Sequence, residues 1–165
     1  FLAQDDFYHL MGRSRNTWHP IIYASYGLLN NFIGYNDMAY IRNDLKMIEV
    51  VKRIAVINVK KLPGLTRTYD FGPIYTSYQR NKKLLHRQID TYNPDIVIGG
   101  STMHLFHEEL GIIQEDIINL GSINFAIKSN KLYISAYHPR QTQVTRDIYV
   151  NDIIKASQHF WNIRK

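Results

Sequence analysis

Three short segments of this chain carry residue types that do chemistry, and each follows an apolar run. The first is Asn58-Val-Lys60-Lys61-Leu-Pro63-Gly64, the second Gly99-Gly100-Ser101-Thr-Met-His104, and the third Tyr137-His138-Pro139-Arg140-Gln141. A carboxamide such as Asn58 offers an acceptor and two donors. It can read the edge of a planar heterocycle, or it can satisfy loop backbone. Gly99-Gly100-Ser101 permits a tight strand-to-helix turn, whether as turn geometry alone or with free N–H groups that favour an anion. It is no Walker loop and no G-x-G-x-x-G fingerprint. Ser101 also lacks the G-x-S-x-G context of a nucleophile elbow. Pro139 biases His138 toward an extended backbone. A neutral imidazole held that way can donate a hydrogen bond to a developing oxyanion. His104 and His107 are three residues apart with no third ligand in sight, so no metal is expected.

The elements that must position these segments alternate between helix and strand. Thr17 is a candidate N-cap for a helix to about Asn31, with Pro20 in its first turn. Asp37 is placed to cap a second helix carrying Met38, Ile41, Leu45, Ile48 and Val51 on one face. Residues 53–58 form an apolar run of buried-strand type, and residues 59–73 a long loop. A helix is expected from about Ile74 to Tyr92, with Ile74, Tyr78, Leu85, Ile89 and Tyr92 inward, ended by Pro94. Residues 95–100 are a second buried strand, and Ser101 opens a short helix to about Glu108. Strands at 123–127 and 132–137 meet at a Ser129-Asn130 turn. Val144 to Trp161 closes the chain as a helix, with Ile148, Ile153, Ile154, Phe160 and Trp161 as core candidates. This order predicts an α/β fold with a small parallel-type sheet between helical layers. In such sheets ligands sit at the carboxyl ends of strands, where all three segments fall.

Length and composition agree with one globular domain over residues 1–165. The chain has 165 residues, is 45% hydrophobic and contains no Cys. That excludes disulfides, thiol nucleophiles and thiolate-held clusters, and it fits the cytoplasm. No apolar run is long enough for a membrane span, and no signal-peptide pattern appears. The net charge of +6 is unevenly placed: residues 51–100 hold nine basic and three acidic side chains. A clustered basic surface suits a polyanion, although a solvated face has the same composition.

Taken in order, the three segments resemble the uracil-DNA glycosylase superfamily. The counterparts are Ile54-Ala-Val-Ile-Asn58-Val-Lys-Lys-Leu-Pro63, Ile96-Val-Ile-Gly99-Gly-Ser-Thr-Met-His-Leu-Phe106, and Tyr133-Ile-Ser-Ala-Tyr-His138-Pro139. The match spans roughly residues 50–150, and the Asn-Val-x-Lys-x-Pro element is closest to the iron–sulfur branch. The resemblance implies a three-layer α/β/α domain with a mainly parallel central sheet. It also implies a monomer that flips and excises uracil or a related base from single- or double-stranded DNA. Asn58 would read the base, with Gly99, Gly100, Ser101 and Pro139 shaping its pocket. His138 would stabilise charge on the leaving base. Lys60, Lys61, Arg140 and Gln141 would contact the strand, the last two filling the vacated duplex position. Tyr23, Tyr69 or Phe71 would stack on the flipped base.

The chain departs from that family in three ways. It lacks the four cysteines of the iron–sulfur branch, so no cluster or other cofactor is expected. Its His-Pro is followed by Arg140 where the family commonly has Ser. No strand with a water-activating residue precedes the first helix, and Asp5 and Asp6 are the only nearby carboxylates. The chain opens on Phe1, so that strand is expected to precede Phe1 or to be missing. Two other readings stay open: a nucleic-acid-binding module without catalysis, and a small-molecule hydrolase using Ser101 and His138.

Overall fold

The computed structural model describes residues 12–61 and 72–164. Asp5, Asp6, Pro63, Gly64, Arg67, Tyr69 and Phe71 lie outside them. The first helix, α1, spans Arg15–Leu29 and begins at Ser14, not Thr17. Pro20 is therefore inside the helix, where it removes one backbone donor. The helix tolerates this because Ile22, Tyr23, Ala24 and Gly27 bury its inner face.

No α-helix forms over 37–51. The segment instead turns at Tyr35–Asp37 and resumes as a 3-10 helix over Leu45–Arg53. Asp44 is the effective cap, since its carboxylate accepts from Lys46 N at 3.1 Å. Ile41 and Ile48 are buried as expected. Residues 53–58 form no strand either, although Ile54 is extended (φ −120°, ψ 154°). Ile57 and Val59 pack their side chains on the core without a ladder, leaving Ala55 and Val56 exposed.

The second helix, α2, spans Gly72–Tyr92, and α3 spans His107–Leu110. Tyr78 and Leu85 are fully buried on α2, and Ile74 and Ile89 partly so. Tyr92 is 58% exposed because the helix ends there and Asn93 turns away at φ 43° before Pro94. The last helix, α4, spans Arg146–Ile163. Its inner face is Tyr149, Val150, Ile153, Ile154, Ala156 and Phe160, while Ile148 (45%) and Trp161 (39%) face outward. The expected core roles of those two residues therefore pass to Val150 and Ala156.

The strands are β1 (Ile96–Gly100), β2 (Ile118–Leu120), β3 (Ile123–Lys128) and β4 (Lys131–Ala136). They form one mixed sheet in the order β1-β4-β3-β2. Only β1 and β4 run parallel; β2–β3 and β3–β4 are antiparallel. The expectation of a mainly parallel sheet fails for a local reason. Ser129 and Asn130 both take positive φ (50° and 59°), the geometry of a two-residue hairpin, and such turns join antiparallel strands. Gly121, at φ 55°, does the same between β2 and β3.

Alternation along the strands feeds two hydrophobic clusters. Phe125, Leu132 and Ile134 join α1, α4 and the 45–53 helix. Ala126 and Tyr133 join Tyr78, Leu85, Met103 and Phe106. The molecule is thus α/β around a four-stranded mixed sheet. No helix among the described residues is long and apolar enough to cross a membrane.

Candidate functional site

The carboxyl ends of the parallel pair β1 and β4 lie side by side, in the register Gly99↔Ser135 and Gly100↔Ala136. Two of the three chemistry-bearing segments meet there. Gly99 is buried, and a Cβ on it would lie 2.7 Å from Met103 N and 2.8 Å from Met103 Cα. Gly100 faces the second segment, where a Cβ would lie 3.1 Å from Pro139 Cδ. Ser101 sits at φ 60° and opens no helix; the chain makes a 3-10 turn at Met103–Leu105 before α3. Ser101 staples the two strand ends together. Its N–H donates to Ala136 O at 2.7 Å, and its Oγ accepts from His138 N at 2.8 Å. The Oγ bond is to the backbone of His138, not to its ring, which disfavours the serine-hydrolase alternative.

Gly99→Ala is expected to cost about 1–3 kcal/mol, because the new methyl meets backbone and not a yielding side-chain tip. Urea unfolding checks this; an unchanged midpoint would mean the 99–103 turn shifts freely.

The His138 ring is fixed by its own loop. Nδ1 accepts a hydrogen bond from Arg140 N at 3.1 Å, and His138 O accepts from Gln141 N at 2.8 Å. A neutral ring that accepts at Nδ1 carries its proton at Nε2. His138 is exposed as a residue, but partial desolvation of its ring, and secondarily the Arg140 charge, hold the imidazole below its ordinary pKa of 6.5. The ring is therefore a neutral Nε2–H donor at neutral pH. The loop beyond it is held by Gln141, whose Oε1 accepts from Val144 N and whose Nε2 donates to Val144 O, both at 2.9 Å. That carboxamide is spent on the loop and does not project toward a partner. Tyr149 OH donates to Tyr137 O at 3.0 Å, and burial pushes the phenol up to about 12.

Asn58 is exposed and makes no hydrogen bond to this cluster among the described residues. Its neighbours Ile57 and Val59 pack on the cluster that contains Met103, so the segment shares a core with the post-β1 turn. Lys61 is tied to α2 through Gln88 Oε1 at 2.8 Å, and Lys60 is half-buried. Tyr23 is buried, its hydroxyl accepting from Ile41 N at 3.1 Å, so it is a core residue and no stacking platform. Part of the basic excess is internally paired: Lys82 bonds Glu109 and Lys52 bonds Glu49. Pairing with Lys82 holds the Glu109 carboxyl below its usual range.

A groove of about 250 Å³ runs beside the His138 loop. It is lined by Asn16 and Pro20 of α1, by Pro139, Arg140 and Thr142 of the loop, and by Arg146 of α4. The sequence reading missed Asn16 and Arg146, because nothing local links the start of α1 to the start of α4. A cleft of about 130 Å³ on another face places His104 and His107 near Asn124, Tyr133 and Ser135. No group of three or more His, Cys, Asp or Glu suited to a metal occurs among the described residues. Comparison with models of protein families, with curated proteins and with solved structures gives no match.

Proposed function

We propose that this protein excises uracil or a related base from DNA, as a monomer in the cytoplasm, on a glycosylase-like arrangement of helices about its sheet. One observation carries the reading. His138 is held as a neutral Nε2–H donor at the shared carboxyl end of β1 and β4. Such a donor costs no reorganisation when negative charge grows on a base oxygen.

The chemistry follows in order. A base inside a duplex is out of reach, so it leaves the stack. The glycosidic bond breaks with its electron pair going to the base, and His138 Nε2–H bonds the oxygen that takes up the charge. Water adds to the sugar carbon, and its proton goes to the released base anion. Gly100 lets Pro139 pack directly against the end of β1, since a Cβ there would lie 3.1 Å from Pro139 Cδ. Asn58 reads the pyrimidine edge from the segment that shares a core with Met103. Lys60, Lys61 and Arg140 contact phosphates, which position the strand without reading it.

Asn58→Asp is expected to change which base is released while leaving DNA affinity near normal. Single-turnover release from oligonucleotides carrying uracil, thymine or cytosine checks it; an unchanged base preference would remove Asn58 from the pocket. A second reading, binding without cleavage, has one observation in its favour. No carboxylate lines the groove beside His138 among the described residues, so no water-activating acid is apparent there. Failure of the wild-type protein to release any base, with salt-sensitive DNA binding kept, would select that second reading.

A further inference from the structure

The geometry points to the groove between the start of α1 and the 139–146 loop as a binding site for a phosphodiester of a nucleic-acid strand. The remaining polar side chains of its lining can all donate. They are the Arg140 and Arg146 guanidiniums, the Asn16 carboxamide and the Thr142 hydroxyl. The other polar side chains are already engaged: Gln141 on Val144, and Tyr149 on Tyr137 O. No carboxylate lines the groove among the described residues. A small space offering two guanidinium forks and neutral donors, without a competing acid, suits an oxyanion that accepts from several sides.

Arg146, which lines the groove, also lies close enough to α1 for its charge to reach His19. Arg146 of α4 and Arg15 of α1 both act on the His19 ring, which burial, above all, already holds below its ordinary pKa. His19 therefore adds no charge of its own at neutral pH, and its Nε2 is buried without a hydrogen-bond partner. Asp147, the nearest acid in sequence to Arg146, has its carboxylate bound to Thr145 and to its own helix start. Those bonds keep Asp147 ionised, and no ion pair joins it to Arg146 among the described residues.

The choice of a strand over free phosphate rests on the base-excision reading. Pro139 lines the groove and is bonded to His138, so a strand with its base at the His138 ring carries a flanking phosphate past Arg140 toward Arg146. Arg146 is then a strand-binding residue that does not touch the reacting base.

The test is equilibrium binding of an unmodified single-stranded oligonucleotide, read by fluorescence anisotropy across a salt series. Arg146→Gln is expected to weaken binding and to reduce the slope of log affinity against log salt by about one. Arg146→Lys should keep most of the slope and lose part of the affinity, and Arg140→Gln should behave like Arg146→Gln. Thermal melting of each variant checks folding, and Arg140→Gln, on an exposed loop, serves if the α4 variant melts early. Wild-type affinity and slope in both glutamine variants would overturn the groove as a site. Displacement of the oligonucleotide by inorganic phosphate, beyond that by chloride at equal ionic strength, would overturn the strand as its occupant. If the wild type releases no base and Arg146→Gln still lowers the slope, the groove stands and only base excision falls.

Discussion

His138→Ala is expected to slow base release by about 10²- to 10³-fold, the usual cost of removing one preorganised donor from a developing oxyanion. Oligonucleotide affinity changes little, because the ring meets charge that exists only as the bond breaks. His138→Gln recovers part of the rate, since its amide can still donate. Single-turnover kinetics with enzyme in excess separates the two effects. A wild-type rate in the alanine variant would take His138 out of the reaction. The loop geometry gives this prediction a pH dependence. Partial desolvation and then Arg140 lower the imidazole pKa below 6.5, so protonation, and loss of the neutral donor state, comes at more acidic pH than for an ordinary histidine. The same shift bears on folding. A histidine whose pKa is depressed in the folded state favours that state above its unfolded pKa. This contribution is lost as pH falls through the folded value.

The largest effect on stability is expected at Phe160. Its side chain is fully buried (0%) on α4, in the cluster that joins α1, α4, Phe125, Leu132 and Ile134. The Arg164 guanidinium lies 5.0 Å from its ring centroid and pairs with Asp95, just before β1, at 2.7 Å. Phe160→Ala removes a large apolar group and leaves a cavity that helix-on-sheet packing cannot easily close, at about 3–5 kcal/mol. Typical domains have only about 5–15 kcal/mol in total. Thermal unfolding should show Tm falling on the order of 10 °C. Trp161→Ala is the internal contrast, because Trp161 is 39% exposed. Equal losses at the two positions would mean that α4 is not seated as described.

Much of this fold was legible in the chain, and the failures share a cause. The β3–β4 hairpin is carried by Ser129-Asn130, whose types tolerate positive φ, and it appears within a residue of where it was expected. The long helices at 72–92 and 146–163 have enough turns for their apolar spacing to register. Residues 53–58 have the apolar content of a strand but gain burial for Ile57 and Val59 without one. Periodicity reports burial, and burial does not require a ladder. The three residues of β2 are too few to show alternation. Strand direction was misjudged because alternation of element types was weighed above the turn at 129–130, which dictates antiparallel pairing.

At the site, all three segments were expected at strand ends; the Gly99-Gly100-Ser101 turn and His138-Pro139 meet through the Ser101–His138 bond of 2.8 Å, while Asn58 ends no strand and does not join them. The sequence could not show the tautomer of His138, because it depends on a backbone N–H two residues ahead folding back onto the ring. Nor could it show that Gln141 is consumed by Val144, or that Asn16 and Arg146, 130 positions apart in the chain, face one groove.

The most direct measurement is single-turnover release of free base from uracil-containing DNA, single-stranded and duplex, followed from pH 5 to pH 8 with His138→Ala alongside. Wild-type release that is level at neutral pH, falls only below pH 6.5 and collapses in the variant is the predicted result. No release at any pH would contradict base excision, and equal release by wild type and variant would contradict a catalytic His138.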